Sequence, residues 1–201
     1  MIVVLLSMLG FAASAALGLL AARALCAGIA SFPDGPQPGN PRTAAVVLVT
    51  ALLGAVAASR GLGPAPLAIF AVVCGVLAAI WYADIVRGIV PDLFTLAPLG
   101  AIAVAAVLAH RFDIVLSTLI PTIPFVVLAA LTRGRGLGWG DVKLAALGGA
   151  LLGMQNAVLA FALASLAAVV ITRVRSGHSG PIAFAPYLVV AIAVPLALQA
   201  G

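Results

Sequence analysis

Glutamate is absent from these 201 residues, and charge of either sign is scarce, with Asp, Lys and Arg together at 7%. Soluble globular chains are about a quarter charged. Too few charges remain to clothe a water-facing surface, and a hydrophobic content of 65% belongs in a bilayer. With Glu missing, any carboxylate chemistry must come from five residues: Asp34, Asp84, Asp92, Asp113 and Asp141. Cysteine is almost as rare. Cys26 and Cys74 stand alone in apolar surroundings without the C-x-x-C spacing of a zinc site or redox pair, so buried, inert thiols are expected. Clustered positive charge is lacking too. The net charge of +5 comes from basic residues scattered singly or in pairs, which argues against nucleic acid as a partner and for anchoring at membrane surfaces.

The densest glycine run, R-G-R-G-L-G-W-G-D-V-K over residues 133–143, invites comparison with phosphate-binding loops. Gly134, Gly136, Gly138 and Gly140 recur at every second position, and Lys143 has no glycine before it and no Ser or Thr after it. Neither G-x-x-x-x-G-K-[ST] nor G-x-G-x-x-G fits. Strands alternating with amphipathic helices, the setting of a nucleotide fold, are also lacking.

What the chain has in abundance is uncharged runs: 1–22, 43–59, 61–83, 93–109, 114–132, 144–172 and 176–201. Each is long enough, or nearly so, to cross a membrane. The first lacks the basic n-region of a signal peptide and reads as a retained span. From Asp141 to Arg175 there are 35 residues, ~52 Å of helix against a hydrocarbon core of ~30 Å. A break at Gly153-Met154-Gln155-Asn156 would make two helices of it. Eight spans then place Arg23, Arg42, Arg87, Arg133, Arg135, Lys143, Arg173 and Arg175 on one face and only Arg60 and Arg111 on the other. Seven spans weaken that asymmetry, so the positive-inside rule favours eight. The expected fold is all-α, a polytopic transmembrane helix bundle with both termini outside. Residues 1–65 supply two spans joined by the cytoplasmic Pro/Gly-rich loop Ser31–Arg42, and residues 66–201 supply a six-helix core.

An ionisable group at membrane depth is a functional hypothesis by default, but each aspartate also has a plainer reading. Asp34 lies in the polar loop and is expected to be solvated. Asp113 and Asp92 each precede an apolar run and read as helix N-caps. Asp84 comes late in its span, where the helix dipole opposes a negative charge, so capping does not account for it. Asp141 reads either as an N-cap or as the head of a small-residue stripe, Ala145, Gly149 and Gly153, that lets a second helix approach closely. On the second reading it faces inward, while Lys143 points elsewhere and reaches towards the headgroups. Arg87 and Lys143 are expected to anchor loops. Two carboxylates brought to one site share a proton, leaving one base and one acid. That pair can activate water against a peptide bond and protonate the leaving amine.

The stretch G-L-G-W-G-D-V-K-L around Asp141 resembles the G-x-G-D-x-K-L signature of the type IV prepilin peptidases, a family of intramembrane aspartic proteases. A second stretch, from Asp84 through Val90-Pro91-Asp92 to Thr95, is similar to the family's first acid followed by Ile-Pro, Asn or Asp, and Thr. A third, I-A-F-A-P-Y-L over residues 182–188, is a looser likeness to I-P-F-G-P-[FY]-L, keeping Phe184, Pro186 and Tyr187. The likeness covers roughly residues 66–190. It implies that Asp84 and Asp141 are the catalytic pair, with Gly138, Gly140, Lys143, Pro91 and Asp92 as supporting motif residues. It also implies cleavage of basic leaders from prepilin or pseudopilin substrates, at the cytoplasmic face of a bacterial inner membrane, in pilus assembly or protein secretion. Many members carry two C-x-x-C pairs after the first span and methylate the new amino terminus. This sequence has neither pair, so peptidase activity without methyl transfer is expected, with no cofactor and no metal.

Two other readings stay open: a transporter or channel subunit whose paired aspartates hold a proton or cation, and an inactive scaffold of a secretion complex. The eight-span topology is tested by reporter fusions. A reporter at Arg60 should report the outer side and one at Arg135 the cytoplasmic side; the same side for both would remove this topology.

Overall fold

The computed structural model describes residues 1–28, 42–133, 137–176 and 184–199. The Ser31–Arg42 loop with Asp34 lies outside the described residues except for Arg42, as do Gly134, Arg135 and Gly136 of the glycine run and Ile182 and Ala183 of the third motif. The described residues form eight helices and no strand: α1 (Ile2–Gly28), α2 (Thr43–Ser59), α3 (Pro64–Arg87), α4 (Asp92–Leu108), α5 (Phe112–Leu131), α6 (Trp139–Leu152), α7 (Met154–Ser176) and α8 (Ala185–Leu198). Helices α1, α3 and α5, and α7 over Met154–Ile171, are long and apolar enough to cross a membrane; α2, α4 and α8 are apolar but shorter. All-helical structure is what an apolar solvent demands, because a helix satisfies its backbone polar groups within itself.

Local chemistry sets where the helices begin and end. Pro64 opens α3 at a position where its missing N–H is no loss. Gly88 closes α3 in the left-handed conformation, φ 64°, and donates its N–H to the carbonyl of Asp84 at 2.8 Å. The ambiguous stretch after Asp141 is two helices, and the break is at Gly153, whose φ of 74° no β-branched residue would adopt readily. With 14 residues, α6 is ~20 Å long, short of a ~30 Å core.

The chain divides into two compact units, one made of Met1–Ile89 with Ala193–Gly201 and the other of Val90–Ile192. In the first, α1 packs against α3 through small residues. A Cβ on Gly18 would run into the backbone carbonyl of Gly75, and one on Gly75 would meet Ser14. Ser14 Oγ donates to the Ala71 carbonyl at 2.6 Å, and Phe11 meets Phe70 edge-on at 5.0 Å. Both cysteines are buried free thiols here, as expected.

In the second unit, Gly149 of α6 lies against the carbonyl of Ser117 in α5, and a Cβ on Gly148 would fall 2.7 Å from the Ile192 side chain. Phe125 packs between Phe161 and Phe184, with ring centroids 5.4 and 6.1 Å away. Between apolar helices in lipid, such close van der Waals contact replaces the hydrophobic effect as the glue. The small-residue stripe is shorter than the sequence implies. Asp141, Ala145 and Gly149 are buried in α6, but nothing lies within 4 Å of a Cβ on Gly153, because that residue has left the helix to make the break.

The tightest of these approaches gives a stability test. Gly18→Ala should destabilise the protein by about 1–3 kcal/mol through overpacking, since the backbone of Gly75 cannot rotate away as a side chain would. Gly10→Ala, in the same helix with open space around it, should be neutral or slightly stabilising. Thermal unfolding in detergent separates the two; equal effects would contradict the close packing of α1 on α3.

Candidate active site

Helix α6 begins one turn before the point the sequence marks. Gly138, in extended backbone, is the N-cap, and Asp141 is the third helical residue rather than the cap itself. Its Oδ2 accepts the N–H of Gly138 at 3.3 Å, so the carboxylate reaches back to a backbone donor left free at the helix start. The helix dipole favours a negative charge there. Asp141 is also buried, with 9% of its surface exposed. Leu137 just before the cap is buried too, which draws the end of the glycine run inward.

Asp84 lies in the last turn of α3 and is 8% exposed. Nearby on the same helix, the Arg87 guanidinium donates to the carbonyl of Cys26 at 3.0 Å. That bond ties the end of α3 to the end of α1, in keeping with an anchoring role for Arg87.

The remaining aspartates behave differently. Asp113 is not a cap: α5 starts at Phe112 with Arg111 as its N-cap, and the Asp113 carboxylate takes a bidentate pair from the Arg111 guanidinium at 2.9 and 2.7 Å. Asp92 is not a cap either. Pro91, in extended backbone, holds that position, and Asp92 is the first residue of α4. Its carboxylate faces solvent and accepts Lys143 Nζ at 2.5 Å. Lys143 therefore turns to a carboxylate of α4 instead of reaching for headgroups. Of the aspartates in the described residues, Asp84 and Asp141 are buried, and Asp92 and Asp113 are exposed.

The second unit thus brings parts of two sequence motifs together. A Cβ on Gly140 would lie 2.7 Å from Cβ of Val90, so only glycine lets the first turn of α6 lie this close to the segment that enters α4. Pro91 and Thr95 are both buried, and Thr95 Oγ1 points back to the Pro91 carbonyl at 3.4 Å. From the third motif, Pro186 sits in the first turn of α8, and Tyr187 lies 6.5 Å from Phe184, which itself contacts Phe125. The Val90–Gly140 contact and the Asp92–Lys143 pair were beyond sequence reasoning. The signal available was opposite charge within two motifs 51 positions apart. Among the described residues, no group of three or more His, Cys, Asp or Glu could hold a metal ion.

The model of the type IV leader peptidase family matches residues 71–173, half of the chain, spanning Asp84, Val90-Pro91-Asp92 and the G-x-G-D-x-K-L stretch. The chain belongs to the type IV leader peptidase family. No curated protein and no solved structure matches it. Membership makes it a peptidase-family protein, and its long apolar helices make it a membrane protein of that family.

Proposed function

We propose that this leader peptidase family member is an aspartic endopeptidase that removes the basic leader from prepilin-like proteins at the cytoplasmic membrane face of a bacterium, and that Asp84 and Asp141 are its catalytic carboxylates. The observation that carries the reading is the division among the aspartates. Among the described aspartates, the two that resemble the family's acids are the two that are buried. Burial in apolar surroundings penalises a charged carboxylate, which is a poor use of an aspartate unless its protonation is needed.

The chemistry follows from two carboxyl groups holding one proton. The ionised one takes a proton from water, and the oxygen attacks the carbonyl carbon of the scissile peptide. The protonated one first hydrogen-bonds the carbonyl oxygen; a proton then passes to the nitrogen as the C–N bond breaks. The products are a leader ending in a carboxylate and a mature protein beginning with an amine. Water is the only co-reactant. Asp141 accepts the Gly138 N–H at the start of α6, a bond that orients its carboxylate for either part. The substrate is membrane-embedded like the enzyme, a basic segment followed by an apolar helix.

Asp84→Asn and Asp141→Asn should each leave a co-expressed prepilin-like substrate uncut while the protein still accumulates in the membrane, a loss of at least about a thousandfold for a unit whose members act together. Asp113→Asn, which removes an exposed ion pair, should cleave normally. Cleavage by both buried-site variants would remove the assignment, and an uncut substrate with the parent chain would favour the inactive scaffold.

A further inference from the structure

Two contacts bracket Asp141 in the second unit. On one side in sequence, Gly140 lies against Val90 so closely that a methyl group would not fit. On the other, Lys143 donates to Asp92 at 2.5 Å. Both partners belong to Val90-Pro91-Asp92, whose proline fixes the extended entry to α4 at φ −67° and ψ 134°. Lys143 is the only lysine in the sequence. Among the described residues just one other ion pair is present, and it is local, between Arg111 and Asp113.

An ion pair as exposed as this one, with Asp92 61% and Lys143 33% accessible, contributes little to global stability. Its effect is geometric. Lys143 and Asp141 lie two residues apart and project from different sides of α6, so the pair can hold the helix by its outer side while Asp141 stays buried. Rotation of this first turn would swing the Asp141 carboxylate, and the close seat of Gly140 on Val90 leaves that turn little room to move. Displacement of a reacting group by ~1 Å can cost ~100-fold in rate.

We infer that Asp92 and Lys143, with Gly140 seated on Val90, form a clamp that fixes the first turn of α6 and so sets the position of the Asp141 carboxylate. Asp92 and Lys143 are positioning residues in this arrangement. Neither takes part in proton transfer. The inference rests on the assignment of Asp141 as a catalytic group for its consequence in turnover, but the clamp itself is a statement about Asp141's surroundings and can be measured without turnover.

The test uses the full-length protein in detergent and two readouts. The first is cleavage of a prepilin-like substrate. Lys143→Gln and Asp92→Asn should each lower kcat by about 10- to 100-fold with KM little changed. The double amide variant should be no worse than either single one, and the exchange Asp92→Lys with Lys143→Asp should recover much of the rate. The second readout is labelling of Asp141 by a hydrophobic carbodiimide, located by mass spectrometry. Loosening the clamp should raise the labelling rate severalfold in both single variants, and the exchange should lower it again. Additive losses of kcat in the double variant, or labelling equal to that of the parent chain, would overturn the clamp. Asp141→Asn run alongside keeps the two claims apart. Normal cleavage by that variant would sink the catalytic assignment, while the labelling in the other variants would still decide the clamp.

Discussion

Taking a carboxylate out of water costs several kcal/mol unless charge or hydrogen bonds compensate. In a chain without glutamate, two of the four aspartates among the described residues, Asp84 and Asp141, are buried. Much of the local structure around Asp141 can be understood as meeting that cost. A short helix presents the carboxylate to a backbone N–H at its own start. A glycine at position 140 allows the α4 entry to lie against the same turn. The neighbouring lysine is drawn to a different carboxylate, Asp92, so it does not neutralise the buried one directly. Among the described residues, no ion pair locks Asp141 in the charged form.

Packing elsewhere follows the rule of the apolar solvent. Where bulky apolar side chains would gain nothing over lipid, the helices meet through glycine, alanine and serine: Gly18 on Gly75, Ser14 on the Ala71 carbonyl, Gly149 on the Ser117 carbonyl. Large exposed residues such as Leu9, Leu17, Leu119 and Leu163 are then suited to acyl chains. In a protein read as soluble these would be errors; on membrane helices they are the expected exterior. The same economy marks the charged groups. Arg87 secures the α3 end through a main-chain carbonyl, and Arg60 does so for α8 through the carbonyl of Leu198.

The helices were legible because desolvation places charges at their ends. The uncharged runs 43–59, 61–83, 93–109 and 114–132 match α2 to α5 closely, and the break at Gly153 could be read from the length of the stretch, the glycine and amides at 153–156, and the charge asymmetry that eight spans give. Cap positions were not legible. An Asp ahead of an apolar run looks like an N-cap, yet Pro91 and Arg111 hold those positions, while Asp92 and Asp113 lie within the first turn and make ion pairs. Local sequence does not distinguish a carboxylate that caps its own helix from one drawn to a cation. The Asp92–Lys143 pair was hidden for a related reason. Periodicity reports faces of one helix, not which of two distant motifs will meet. Asp84 and Asp141 stood out because no local role explained the first and a small-residue face followed the second.

Hydrolysis by a carboxylate-activated water is the central claim, and isotope transfer tests it most directly. In a single turnover of purified enzyme with a prepilin-like substrate in 18O-water, direct attack by water predicts one 18O in the new carboxylate of the leader and none in the enzyme. Label in the side chain of Asp84 or Asp141, as a covalent acyl intermediate would leave, or an unlabelled leader, would contradict it.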